Sequence, residues 1–170
     1  MTTVVLTVLG DDRPGLVEAL AGLLSDQGGS WNRSEMARLG GKFAGIVEAS
    51  VPDGALDAVR AGLDRLAVDG LHTTLSVTDA AAEPAGERVF LSLVGTDQPG
   101  LVHAVAGALA AVGASIEELG TSVTDAPMAG GTMFEASAVV VLPEGVSRYD
   151  VQDRLEALAA HLMVDIAVEG

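Results

Sequence analysis

The segment Gly10-Asp11-Asp12-Arg13-Pro14-Gly15-Leu16-Val17 returns 85 positions later as Gly95-Thr96-Asp97-Gln98-Pro99-Gly100-Leu101-Val102. Aligned without a gap, Val4–Trp31 and Val89–Ile116 share 14 identities in 28 positions. The chain is therefore one unit written twice, and each copy has roughly 80 residues with which to bury a core, near the lower end of what a lone domain manages. Aromatic residues make up only 3% of the chain against 49% hydrophobic residues. The core must then be built in thin layers of Val, Leu and Ala.

In the first copy Thr3–Leu9 is short, β-branched and apolar, which predicts a buried strand. Pro14 suits the first position of a helix, where its missing N–H costs nothing. Leu16, Leu20, Leu23 and Leu24 follow at helical spacing, and Gly28-Gly29 ends that helix. Trp31–Leu39 reads as an edge strand, with Trp31, Arg33, Glu35, Ala37 and Leu39 on one side and Asn32, Ser34, Met36 and Arg38 on the other. Gly40-Gly41 marks a two-residue hairpin into Lys42–Val51. Pro52-Asp53-Gly54 opens a second helix carrying Leu56, Val59, Leu63 and Leu66, and Leu71–Val77 is the fourth strand.

The second copy repeats this order: strand Val89–Val94, helix Pro99–Val112, strands Ser115–Val123 and Thr132–Leu142, a helix with Val151, Leu155, Leu158 and Leu162, and strand Met163–Val168. It differs in a longer connection, Thr124–Gly131, with Pro127 and Met128. Residues 80–87, small and carrying Pro84 and Gly86, read as a linker between domains 1–79 and 88–170.

A β-α-β-β-α-β order places both helices on one face of a four-stranded antiparallel sheet, in the strand order second, third, first, fourth. The second strand of each copy is left as an edge. Pairing those edges side by side predicts an α+β, ferredoxin-like architecture with an eight-stranded antiparallel sheet and four helices on one face, which would hide two aggregation-prone edges.

Composition narrows the function. Formal charge is −15, from 24 acids and nine Lys and Arg. Direct nucleic-acid binding needs a basic footprint, and none is present. No apolar run is long enough to span a membrane, and the start lacks the basic n-region of a signal peptide, so the cytoplasm is the expected location. With no cysteine there is no disulfide or thiol chemistry. His72, His103 and His161 are scattered without carboxylate or Ser partners at catalytic spacing, and Asp11-Asp12 lacks a second acidic cluster of metal-site form. The expectation is no enzyme, no metal and no cofactor.

What remains is the loop from strand to helix. Its glycines let a ligand approach the backbone, and the helix N-terminus attracts a carboxylate or phosphate. The competing reading is structural: Pro and Gly shape the turn, while Asp12 and Asp97 cap the helix. Recurrence of the motif in matching context favours the ligand.

These motifs, with Gly29-Ser30-Trp31-Asn32-Arg33-Ser34-Glu35-Met36-Ala37-Arg38-Leu39-Gly40-Gly41-Lys42-Phe43-Ala44-Gly45 and, in the second copy, Ala126-Pro127-Met128 through Gly131, Phe134 and Ala136, resemble a tandem pair of ACT domains. The likeness is to the stand-alone, two-domain glycine cleavage system transcriptional repressor family. It implies a regulatory protein that binds a small amino acid, glycine or serine, at the interface of two domains. One site would join Asp11, Asp12, Arg13, Pro14, Gly15 and Leu16 with Ser115, Ile116 and Glu117. The other would join Thr96, Asp97, Gln98, Pro99, Gly100 and Leu101 with Ser30, Trp31, Asn32 and Arg33, and Asn32 and Arg33 favour the second. Zwitterion binding needs partners for both charges. Signalling would run through a protein, either a transcription factor or, as the alternative, a metabolic enzyme of which this chain is a detached regulatory subunit; a homodimer is compatible with both. Trp31 admits a second role, packing across the domain boundary.

Overall fold

The computed structural model describes residues 1–79, 85–126 and 130–170. Part of the expected linker and the connection through Pro127 and Met128 lie outside the described residues. The chain divides into two compact units, Met1–Ala81 and Ala82–Gly170.

Unit 1 runs β1 (Thr2–Asp11), α1 (Leu16–Asp26), β2 (Ser30–Leu39), β3 (Lys42–Val51), a 3-10 turn at Asp53–Ala55, α2 (Leu56–Val68) and β4 (Leu71–Val77). Unit 2 runs β5 (Glu87–Thr96), α3 (Leu101–Ala110), β6 (Ser115–Asp125), β7 (Thr132–Leu142), α4 (Arg148–Leu162) and β8 (Val164–Glu169). The antiparallel ladders give strand orders β2-β3-β1-β4 and β6-β7-β5-β8, as the β-α-β-β-α-β pattern predicts. They make two sheets of four strands, each with an edge at β2 or β6, where the sequence predicts one sheet of eight.

The period-2 pattern sets the inward face of each sheet. In β1, Val4, Leu6 and Val8 are buried, and in β5, Val89, Leu91 and Leu93. The covering helices contribute residues four apart: Leu16, Leu20 and Leu24 from α1, and Leu101, Val105 and Leu109 from α3. Val59 and Leu63 of α2 and Val151 and Leu155 of α4 complete the two cores. Each such side chain removed from water contributes about 1.5–3 kcal/mol before entropy is counted. Gly40 and Gly41, at φ 58° and 76°, make the tight turn that fixes β2 against β3.

Two expectations are corrected. The helices begin at Leu16 and Leu101, two residues after each proline. Pro14-Gly15 and Pro99-Gly100 occupy a turn instead, with Gly15 at φ 90°, ψ 0° and Gly100 at φ 91°, ψ 0°. This is the left-handed geometry that the third residue of a type II turn requires and that glycine supplies without strain.

The second correction concerns the edge strands. Strict alternation fails because the β2–β3 register shifts between Trp31 and Arg33. The extra residue, Asn32, resets the phase, so Trp31 and Met36 both pack against the core of unit 1. An equivalent shift falls between Ile116 and Glu118, with Glu117 as the extra residue.

Candidate functional site

Each turn sits where its first strand ends, beside the β2–β3 or β6–β7 connection. The N–H of Asp12 donates to the Gly41 carbonyl at 3.0 Å, and that of Asp97 to the Thr132 carbonyl at 2.9 Å. From the other side, Arg13 donates through its guanidinium to the Asp69 carbonyl at 2.8 Å, just past the end of α2. Gln98 does the same to the Leu162 carbonyl at 2.7 Å, in the last turn of α4. Arg13 and Gln98 therefore share a structural duty despite their different charge.

Neither helix that follows is capped by a side chain, so Asp12 and Asp97 are not caps. The first helical bonds run from Ala19 N–H to Gly15 and from Ala104 N–H to Gly100, both at 2.9 Å. The N–H groups of the preceding turn, Leu16 to Glu18 and Leu101 to His103, are left without intrahelical acceptors, at the positive end of each helix. By contrast α4 starts with a complete capping box between Ser147 and Asp150. A bare N-terminus after a Pro-Gly turn thus occurs at both candidate loops.

The acids of the two loops differ. In unit 1, Asp12 pairs with Arg38 at 3.0 Å, and Asp11 pairs with Lys42. The Lys42 hydrogen bond, reinforced by its charge, holds the Asp11 carboxyl below its ordinary value. In unit 2, Asp97 is exposed, and its carboxylate has no hydrogen-bond or ion-pair partner among the described residues. A groove of about 480 Å³ runs beside α1, bounded by Asp12, Arg13, Val17, Glu18 and Phe43.

The edge-strand residues lie elsewhere. Ser30 faces Ser50 across the β2–β3 ladder, whereas Asp11 faces Lys42 at the opposite end of β3. Within one unit, therefore, the loop and the start of the edge strand stand at opposite ends of the sheet. Asn32 donates to Ser50 Oγ at 2.9 Å, Arg33 is exposed, and Trp31 packs on the core of its own unit. Ile116 packs likewise, and Glu117 is gripped by Arg88 in a two-pronged ion pair at 2.8 and 2.9 Å. Ser115 is exposed.

Arg38, Lys42 and Arg88 as charge partners were not singled out from the sequence. Lys42 was within reach, since opposite charges at Asp11 and Lys42 flank a β-pair whose hairpin turn is legible. Among the described residues no three His, Asp or Glu side chains come together as a metal site. His72, His103 and His161 are exposed. No described helix is long and apolar enough to cross a membrane.

Comparison with known proteins fits this geometry. A model of the ACT domain matches residues 2–75 and again 87–169. The fold aligns with the crystal structure of an unknown protein from Galdieria sulphuraria at 31% identity and TM-score 0.88, covering 99% of this chain and 97% of that one. It aligns with a candidate glycine cleavage system transcriptional repressor at 20% identity and TM-score 0.72, covering 99% and 96%. No curated protein matches.

Proposed function

Because the chain belongs to the ACT domain family, with one copy in each half, we propose that it is a non-catalytic regulator that senses a free amino acid and passes the signal to another protein. ACT domains are typical of regulatory small-molecule binding. The observation that carries the reading is the twice-built Pro-Gly turn, which leaves helix N–H groups without acceptors next to an aspartate. Those N–H groups suit the carboxylate of an amino acid, and an aspartate suits its ammonium group. Both charges must find partners for the zwitterion to leave water.

Regulation requires that the amino acid favour one arrangement of the protein over another. With a formal charge of −15, the chain repels phosphate backbones, so the signal goes to a protein, either a transcription factor or a metabolic enzyme. Calorimetric titration of the whole chain with each of the common amino acids tests the proposal. Saturable binding of at least one supports it; heats indistinguishable from dilution across the full set overturn it.

A further inference from the structure

In each unit the helices cover one face of the sheet and leave the other open, and the two open faces carry different charge. We propose that the open face of unit 2 is the docking surface for a basic amphipathic helix of a partner protein. The inference rests on the reading that the signal passes to a protein; it adds the face used and the chemistry of the segment that meets it.

Register fixes which side chains share that face, because residues directly opposite each other in an antiparallel ladder lie on the same side. Along β5 the outward positions are Arg88, Phe90, Ser92 and Val94, all exposed, alternating with the buried Val89, Leu91 and Leu93. Their partners form rows across the four strands. One row runs Glu118, Val139, Phe90, Glu169 from β6 to β8, an apolar centre with a carboxylate at each end. The next row holds only small side chains, Gly120, Ser137, Ser92 and Ala167. The third runs Ser122, Glu135, Val94, Asp165, again apolar between two acids. A groove of about 360 Å³ lies over the small row, lined by Ser92, Gly120 and Ser137 and reaching Val94 and Glu135. Phe90 and Val94 are 60% and 41% exposed, an apolar patch with a polar rim of the kind that marks an interaction surface.

The charge on this face is one-sided. Arg88 is its one cation among the described residues, and Glu117 already holds it. Glu118, Glu135, Asp165 and Glu169 are exposed, and no cation stands opposite any of them. The open face of unit 1 is nearly balanced: Arg33 stands opposite Glu48 and Lys42 pairs with Asp11, which leaves Glu35. Uncompensated carboxylates around an apolar strip complement a segment whose apolar residues are flanked by Lys and Arg. A second copy of this chain does not fit, since a two-fold pairing of like faces sets carboxylate against carboxylate.

Backbone chemistry selects a helix. The ladders already use the N–H and C=O groups within the sheet, so its face offers none to an extended chain, whereas a helix satisfies its own. The two acid-bearing rows are four residues apart along β5, about 14 Å. That spacing seats a helix about 10 Å across, and the small row lets its backbone come close. Lys and Arg on one flank then reach Glu118 and Glu169, and those on the other reach Glu135 and Asp165, with their aliphatic stems over Phe90 and Val94.

The test titrates the isotope-labelled full chain, without any amino acid, with a synthetic peptide of about 14 residues of Lys, Ala and Leu, its Leu residues on one helical face. Amide signals of Phe90, Ser92, Val94 and Ser137 are expected to shift, and those of Thr7 and Ile46 on the open face of unit 1 to stay. Phe90→Ala should weaken the peptide about tenfold. Glu118→Gln combined with Glu169→Gln should weaken it about threefold, a difference that disappears at about 0.5 M salt. Asp57→Asn combined with Asp64→Asn removes the same charge from exposed positions on α2 and should leave binding unchanged. Shifts spread over both units, equal binding of a peptide of the same composition with its Leu dispersed, or an equal effect of the α2 pair overturns the inference. So does self-association of the parent chain, measured by sedimentation, that Phe90→Ala abolishes, which assigns the face to a second copy. Any of these leaves amino-acid sensing standing on its own titration, and a peptide seated on this face with no amino acid bound in that titration sinks only the sensor.

Discussion

Residue by residue, the two copies agree inside and part at one edge. The inward positions correspond as Val4 with Val89, Leu6 with Leu91, Val8 with Leu93, Leu16 with Leu101, Leu20 with Val105 and Leu24 with Leu109, all buried. The helix-facing side of the edge strand does not correspond at all. Trp31, Ser34, Met36 and Arg38 in β2 are met by Ile116, Leu119, Thr121 and Val123 in β6. The consequence is physical. Where β2 supplies bulk and a cation, Trp31 and Met36 pack on the core and the loop acid Asp12 is paired with Arg38, leaving a polar-rimmed groove beside α1. Where β6 supplies neither, Leu119 and Val123 stay about half exposed and a wholly apolar cleft lies beside α3. Core volume is constrained by close packing, whereas an edge strand is free to specialise.

The comparison is broken most decisively in the core. Leu6 is fully buried, whereas Leu91 forms part of the cleft wall. Leu→Ala in a core costs about 2–5 kcal/mol, and the spread follows how much of a void the change leaves. Leu6→Ala should fall toward the top of that range, about 4 kcal/mol, and Leu91→Ala toward the bottom, about 2 kcal/mol, because its neighbours already border a void. Amide exchange resolved by unit is the suitable readout, since two units need not unfold in one transition. Equal losses in the two units would mean that the cleft is closed in solution.

Most of the architecture was legible in the sequence because it follows from periodicity and punctuation. The bounds of β3, β4 and β7 follow from apolar runs between Gly and Pro signals, and the strand order follows from the crossovers. The candidate loops were legible because Pro-Gly recurs in register. The helix start was misplaced: proline suits both the first turn of a helix and the second residue of a type II turn, and the glycine after it selects the turn. The bulges at Asn32 and Glu117 carry no local signature, and without them the faces of β2 and β6 are inverted beyond that point. That inversion hid the Asp12–Arg38 pair and the cleft, since both depend on which side Arg38 and Leu119 face.

A finer comparison uses the side chains that tie each turn to the following helix end. Gln98 is partly buried where it meets the Leu162 carbonyl, while Arg13 reaches the Asp69 carbonyl in the open. Removing a partner from a sheltered acceptor costs more than removing it from one that water can reach. Gln98→Ala should therefore cost about 1 kcal/mol and Arg13→Ala about half of that, read from amide exchange in α3 and α1. A reversed order would indicate that the first turn is the more sheltered one.

The smallest expected difference lies in acid. In unit 1 the carboxyl of Asp11 is held low by the hydrogen bond and charge of Lys42, and that of Asp53 by Thr2 and the amino terminus. In unit 2 the counterpart is Asp150, held low by the Ser147 hydroxyl and backbone at the start of α4, away from the Gly100 turn. A carboxyl whose value is lower folded than unfolded adds stability above the unfolded value and loses it as pH falls through the folded one. Acidification from about pH 5 to about pH 3 should therefore loosen the Gly40-Gly41 end of unit 1 while leaving the Gly100 turn unaffected by any paired acid. These carboxyls are exposed and screened, so the effect is small and should shrink further in salt. Asp11→Asn should remove most of the acid response at Gly40 and Gly41, measured as amide protection against pH. Protection there that falls equally in the parent and in Asp11→Asn would mean that Lys42 is solvated and that both turns meet acid in the same way.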